Sequence, residues 1–460
     1  DLESMVVELA QTAKKAARRL ATTSTQTKDN ALLEAAELLR KQIGSLLSAN
    51  TKDVARGQEN GLSPAMLDRL SLNEARIDAM AKELMDKGDL PGMVALIARN
   101  GIIVYLKSFG VANAEGEPLH KDHIFRIASQ SKAITSTAVM MLWEEGRFGL
   151  DDPVSQYIPE FANPQLLDTY DEESGEYTTK DAIGEITIRH LLTHSSGIGY
   201  GVIDEDPRFK KIYEDAGVTD LYTTEKITIE QSVKKLAKLP LHHNPGESWT
   251  YSEGLDVLGY FIEIVSGMKF DNFLRTRLFD PLGMNDTGFY LPDNKTDRLV
   301  DVMHKEDGIW KKYPETFYDT DYPKKGAKTF FSGGAGLSST AMDYATFLQM
   351  YLNGGELNGV RILSRTTVDV MMTHQLSDPI PFGAEISMQG LAFGVVTSKG
   401  QAMGGVGSEG TFEWGGYFNT QYWADPREKM IGILMKQTRG TVSDPSGWMF
   451  RQFAGAAIDD

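Results

Sequence analysis

Apolar positions along this chain change their spacing near Leu90. Before it they recur three and four apart, as in NALLEAAELLRKQIGSLLSAN (30–50), which predicts amphipathic helices. Asn60-Gly61 and Ser63-Pro64 mark a turn and a fresh helix start. After Leu90 the period drops to two. MVALIARNGIIVYLKSFGVAN holds two β-rich runs around Asn100-Gly101, and this dipeptide predicts a hairpin because both turn positions need positive φ. An apolar helix containing Ser129 follows, within 124–154. Polar loops and short helices are expected over 160–250 and one long helix over 254–276. FNTQYWADP and KMIGILMKQ read as adjacent strands, and a last helix covers about 444–457. Strands at both ends with helices between predict an α+β domain. Its antiparallel sheet is closed by the first and last segments and flanked by helices, with a mostly helical lobe inserted in the middle. The division expected is a helical segment over 1–85 and a domain over 86–460.

Composition narrows the function. Among 460 residues, 47 are Lys or Arg and 64 are Asp or Glu, a formal charge of −17. A nucleic-acid binder needs a basic face, so nucleic acid is not an expected partner. There is no cysteine, which excludes disulfides, thiolate catalysis and Cys-based zinc sites. No apolar run reaches the roughly 18 residues of a membrane span. The chain opens on Asp1, which leaves room for an upstream piece, and no signal-peptide pattern is read. The compartment stays open between cytoplasm and periplasm.

The candidate chemistry starts at Ser129-Gln130-Ser131-Lys132. Residues three apart on a helix share a face, so a helix opening at Ser129 would carry Lys132 beside it. A free lysine has a pKa of about 10.4, and burial with nearby positive charge would free its amine to take the serine proton. The helix N-terminus adds N–H groups and partial positive charge suited to an oxyanion. Ser-x-x-Lys alone is weak, since a serine cap followed by a surface lysine gives the same pattern.

The flanks carry more. FRIAS, GRFGLDDPVSQYIPE, ITIRHLLTHSSGIGY (186–200), HHNPGESWTYSEGLDVLGYFIEIVSG (242–267), LFDPLGMNDTGF (278–289) and GGAGLSSTAMDYATF (333–347) occur in one order. Over about 88–460 they resemble the serine β-lactamase and penicillin-binding-protein superfamily, in its class C branch. The resemblance implies Ser129 as the acylated nucleophile and Lys132 as its base or proton relay, with Ser131 structural. Tyr251-Ser252-Glu253 stands where that branch has Tyr-x-Asn, making Tyr251 a second proton shuttle. Trp414-Gly415-Gly416 stands where Lys-Thr-Gly or His-x-Gly is usual. That departure resembles the family VIII carboxylesterases and implies neutral acyl esters, because an indole offers no charge to a substrate carboxylate. The oxyanion donors implied are the N–H groups of Ser129 and Tyr417. Glu253 either approaches Lys132, favouring the ammonium and shifting the burden to Tyr251, or turns outward.

Other polar residues are read structurally first. His190 and His194 are four apart, but no carboxylate completes a zinc motif. His242-His243 stands near the cleft, and Tyr200 and Phe331 are candidates to shape the acyl or alcohol pocket. No metal or cofactor is expected.

The beginning of the chain differs. SANTKDVARGQENGLSPAMLDRLSLNEARIDAMAKEL resembles the amino end of γ-glutamyl phosphate reductase. That family needs a catalytic cysteine and a nucleotide-binding domain, so reductase activity is rejected. The expectation is a fusion joined within RIDAMAKELMDKGDLPG, whose helices pack on the hydrolase, support homo-oligomer formation, or do little.

The sequence thus predicts a carboxylesterase acting on small esters through a Ser129 acyl-enzyme, with weak β-lactam hydrolysis as a side activity. Within the fold the alternatives are a β-lactamase, a D-amino-acid peptidase or an acyltransferase. Outside catalysis, the alternative is an inactive binding or scaffold module.

Overall fold

Asn100 and Gly101 turn the chain with φ of 53° and 76°, the paired left-handed conformation that an Asn-Gly hairpin supplies. In this computed structural model, which describes residues 74–316, 318–376, 385–440 and 444–458, that turn joins β1 (Gly92–Arg99) to β2 (Ile102–Gly110). Of the helical segment expected over 1–85, residues 1–73 lie outside the described residues. The chain divides into two units, Arg76–Ala456 and Asp1–Ala75 with Ala457–Asp460, and the first holds the sheet and the candidate site.

Before the hairpin, α1 (Glu74–Asp86) buries Ile77, Met80, Ala81 and Leu84. These positions repeat at three and four, so one stripe of the helix is apolar. Asp78 on its other side takes hydrogen bonds from Tyr105 (2.8 Å) and Lys107 (2.7 Å) of β2.

The main sheet continues with β3 (Ser387–Gln389), β4 (Gly394–Val396), β5 (Phe412–Gly415), β6 (Gln421–Asp425) and β7 (Met430–Met435). Its order is β3-β4-β5-β6-β7-β1-β2, antiparallel throughout. The last long strand pairs with the first, Val94 opposite Met435 and Leu96 opposite Ile433. Both strands are apolar in nearly every position because both faces are covered. The helices α4 (Ala341–Leu352) and α5 (Ser446–Ala456) both pack on β7.

The other layer centres on α2 (Ser131–Glu144), in which twelve of fourteen residues are buried, packed against α3 (Gly254–Ser266). A helix buried on nearly all sides belongs inside a domain. Each large side chain it buries contributes about 1.5–3 kcal/mol. The single helix expected over 254–276 is interrupted. Gly267 adopts φ 71° and caps α3, and helix resumes only at Phe270–Leu274. Within the polar stretch 160–250 the chain also forms a hairpin, Gln165–Tyr170 with Tyr177–Asp181. Its second strand is exposed at every position, so no buried alternation marked it. Among the described residues no helix is long and apolar enough to cross a membrane.

Candidate active site

The strand residues Phe125–Arg126 pair with Ser338–Ser339 and deliver the chain to the mouth of α2. Arg126 is fully buried. It donates to the carbonyls of Thr320 and Val300 and to the side chain of Gln437, which fixes the start of the turn. Ala128 then takes φ 45°. A left-handed alanine costs about 1–2 kcal/mol, so the surrounding packing must impose it. The result corrects the expectation that Ser129 opens the helix. Ser129 lies in a single 3₁₀ turn, Ala128–Gln130, and α2 begins at Ser131. The reversal at Ala128 leaves Ser129 half-buried at the mouth of the helix while Lys132 sits inside its first turn. Ser131 accepts the Leu337 N–H at 3.1 Å with its own hydroxyl.

Lys132 is 1 % exposed, and its Nζ reaches Gly334 O at 2.8 Å, Tyr200 OH at 2.9 Å and Ser129 Oγ at 3.3 Å. An ammonium has three donors and no acceptor. The three contacts therefore use it completely. Tyr251 donates to Ser129 Oγ at 2.7 Å, and Lys132 Nζ lies 4.6 Å from the Tyr251 ring centroid. Glycine makes the Gly334 contact available. A Cβ at Gly334 would fall 2.7 Å from Asp256 Oδ2, and one at Gly333 would fall 2.3 Å from Leu255 O.

The edge of β5 faces this group. Trp414 is half-buried and lies beside Tyr251, with ring centroids 6.2 Å apart. A Cβ at Gly416 would stand 2.5 Å from Ile127 O and 2.2 Å from Thr420 Oγ1, so the strand meets the turn before Ser129 because Gly416 has no side chain. Gly415 precedes it as the last residue of β5. Tyr417 follows, half-buried, with the Arg439 guanidinium 3.8 Å from its ring centroid. Among the described residues no carbonyl accepts the N–H of Ser129 or Tyr417.

Glu253 follows neither path left open by the sequence. It is 2 % exposed, forms no ion pair with Lys132, and faces Asp220 in the interior. It therefore stands behind the cleft, not among residues that could touch substrate. Its N–H bonds Gly199 O at 3.0 Å at the start of α3, which turns its side chain inward. Burial first, then repulsion from Asp220 and Asp256, pushes the Glu253 carboxyl well above the usual range. Asp220 is also raised, again by burial first. Burial raises Tyr200 well above its ordinary value, with Tyr251 and the Asp256, Glu253 and Asp220 carboxyls adding to it. Tyr200 is therefore a neutral phenol where it meets Lys132.

The histidines are parts of the frame. His190 forms a reciprocal cap with Thr187 at the start of Ile188–Leu192. His194 is buried beside the Tyr251 ring (4.7 Å) and pairs with Ser252 Oγ at 2.9 Å. Burial, then the Lys132 charge, holds it well below its ordinary value, so it is neutral. His242 bonds Asp204 at 3.0 Å and stacks on Phe209, while His243 bonds Thr250. Among the described residues no His, Asp and Glu cluster is arranged to hold a metal. Phe331 packs on Phe289 and lines a groove of about 380 Å³ that includes neither Ser129 nor Tyr251. Sequence reasoning treated Tyr200 as a pocket residue and passed over Asp220. Tyr200 could have been suspected from its place at the end of the HSSGIGY motif. Nothing local marks Asp220.

The Beta-lactamase family matches residues 77–456, and the chain belongs to that family of serine hydrolases. It is 31% identical to Esterase EstB of Burkholderia gladioli over 389 residues, covering 81% of this chain and 92% of that protein. It is 32% identical to Protein Rv1367c of Mycobacterium tuberculosis over 374 residues, covering 78% and 88%. Among solved structures it is similar to EstCE1, a hydrolase with promiscuous acyltransferase activity. The TM-score there is 0.70 at 26% identity, covering 83% of this chain and 98% of that one.

Proposed function

We propose that this protein is a carboxylesterase that cleaves small, neutral acyl esters through an acyl-enzyme on Ser129. The observation that carries the reading is the double contact on Ser129 Oγ, Tyr251 on one side and Lys132 on the other, facing a Trp-Gly-Gly edge that presents no cation. Because Lys132 spends all three donors as an ammonium, Tyr251 is the better proton acceptor, with the lysine supplying the charge a phenolate needs beside it.

The reacting form is the Tyr251 phenolate, its hydroxyl proton given up to solvent beforehand; in the first step Ser129 Oγ attacks the ester carbonyl as its proton passes to that phenolate oxygen. The oxyanion is held by the N–H groups of Ser129 and Tyr417. The C–O bond to the alcohol breaks and the alkoxide leaves with the proton from Tyr251. In the second step water attacks the acyl carbon, gives its proton to Tyr251, and releases the acid. Tyr251 then returns the proton to Ser129. An alcohol in place of water gives acyl transfer by the same route, and the likeness to EstCE1 favours that as a second activity. Strained β-lactams are expected to react slowly.

Hydrolysis of p-nitrophenyl acetate and butyrate, measured beside nitrocefin, tests this in the intact chain and in Ser129→Ala. Ester turnover that disappears in the variant, with nitrocefin slow or silent, is the expected result. Nitrocefin turning over faster than the esters would overturn the use made of Trp414. Silence on all three would favour a binding role.

A further inference from the structure

Behind Lys132, two buried oxygens have no donor among the described residues: Asp220 Oδ1 and Glu253 Oε1. They belong to two carboxyls that lie within hydrogen-bonding reach of each other. Two facing carboxylates would repel in a site without water's screening, and an unmet buried acceptor costs about 1–3 kcal/mol. One proton between them removes both faults, because a protonated carboxyl becomes a donor.

We propose that Asp220 and Glu253 share a single proton, and that this proton makes the pair a clasp that positions Tyr200 and Lys132 for the reaction at Ser129. The inference rests on the esterase reading only for its kinetic readout. Asp220 Oδ2 accepts the Val202 N–H at 2.6 Å, and a Cβ at Gly201 would stand 2.8 Å from that oxygen. Asp220 thus grips the loop carrying Tyr200. Glu253 belongs to the segment carrying Tyr251, and its own N–H bonds Gly199 O in the same loop. Joining the two carboxyls closes the Tyr200 loop against the Tyr251 segment, where the two rings stand 5.3 Å apart. Lys132 is held between those tyrosines.

The upward shifts of both carboxyls agree with a retained proton. The groups facing the pair are Asp256, whose charge raises both, Lys132, which lowers Asp220, and the phenols Tyr200 and Tyr213, which the Glu253 charge raises. Asp256 is itself engaged by the Gly334 N–H at 3.3 Å, and burial raises it. It has donors of its own, whereas Asp220 Oδ1 and Glu253 Oε1 meet none among the described residues.

These roles are positioning ones, and two readouts test them. In the first, kcat for p-nitrophenyl acetate is followed against pH for the full chain, Glu253→Leu and Glu253→Gln. Leucine cannot bridge to Asp220, and kcat is expected to fall about tenfold or more with KM little changed. Glutamine donates an N–H in the proton's place and is expected to recover most of that loss. Loss of the shared proton gives the unsubstituted enzyme an alkaline decline, and the glutamine variant is expected to shift or lose it. Equal impairment of both variants, or one unaltered pH profile, would overturn the clasp. In the second, infrared difference spectra of unsubstituted protein against Glu253→Gln at neutral pH should show a protonated-carboxyl C=O band that the variant lacks. Its absence would overturn the shared proton. This readout needs no substrate, so failure of the esterase reading leaves it decisive.

Discussion

Two polar clusters are buried side by side behind Ser129, and they are built to opposite rules. On the cation side, the three donors of Lys132 meet three acceptors, and nothing is left over. On the acid side, Asp220 and Glu253 each present an oxygen that no described donor meets. A saturated ammonium is a fixed charge, tied in place. An unsaturated pair of carboxyls is a place where a proton enters and stays. The comparison teaches that the residue which most resembles a base by motif, Lys132, is also the most fully engaged by its neighbours. In the proposed mechanism the proton transfer falls to Tyr251, and in the proposed clasp the retained proton falls to the acids behind it.

The largest break in that comparison is Tyr251→Phe, which removes the hydroxyl 2.7 Å from Ser129 Oγ. Loss of a general base is worth roughly 10²–10⁴ in rate, and kcat for p-nitrophenyl acetate is expected to fall in that range while the variant stays folded. A smaller loss would return the base to Lys132. Gly416→Ala should cost about 10² in kcat. Its Cβ must clear Ile127 O and Thr420 Oγ1, which moves the strand edge and the Tyr417 N–H away from the oxyanion. Circular dichroism should show the fold retained.

Tyr200→Phe leaves one Lys132 donor unmet in a buried site. The expected cost is about 1–3 kcal/mol of stability, read by denaturant unfolding, with a lesser loss of rate than Tyr251→Phe. The smallest effect sharpens the acid side. The carboxyl of Glu253 is raised in the folded protein, so between the ordinary carboxylate range near 4 and its raised value the folded state binds more protons than the unfolded one. Stability from this group is present at low pH and declines as pH rises through that window. Glu253→Gln removes the decline, so its unfolding temperature should gain on the unsubstituted protein more at pH 8 than at pH 4. An equal difference at both values would mean that Glu253 is ionised in the folded state.

Legibility in the sequence followed the range of the interactions. The hairpin at Asn100-Gly101 was readable because its cause lies in two adjacent residues. The strands at 421–425 and 430–435 were readable as apolar runs separated by a short turn. The positions of Ser129, Lys132 and Tyr251 came from motifs, which preserve spacing along the chain. The 3₁₀ turn at Ser129 did not, because Ala128 is driven left-handed by packing and not by its own preference. The end of α3 at Gly267 was available in principle, since Ser-Gly closes helices well. The partnership of Asp220 with Glu253 had no local trace. It arises only when a loop and a helix start, thirty-odd residues apart, are folded together.

The pairing of the first strand with the last also bears on how the protein comes into being. Val94 must wait for Met435, more than three hundred residues later in synthesis, before β1 can pair with β7. Contacts so distant in sequence slow folding, and the apolar β1 hairpin stays without its inner neighbour for nearly the whole of translation. Ser129, Tyr251 and Tyr417 emerge in that order, and the β5–β6 turn that carries Tyr417 is tied into the sheet through β6 pairing with β7. The sheet that places Tyr417 near Ser129 is therefore complete only once β7 has docked.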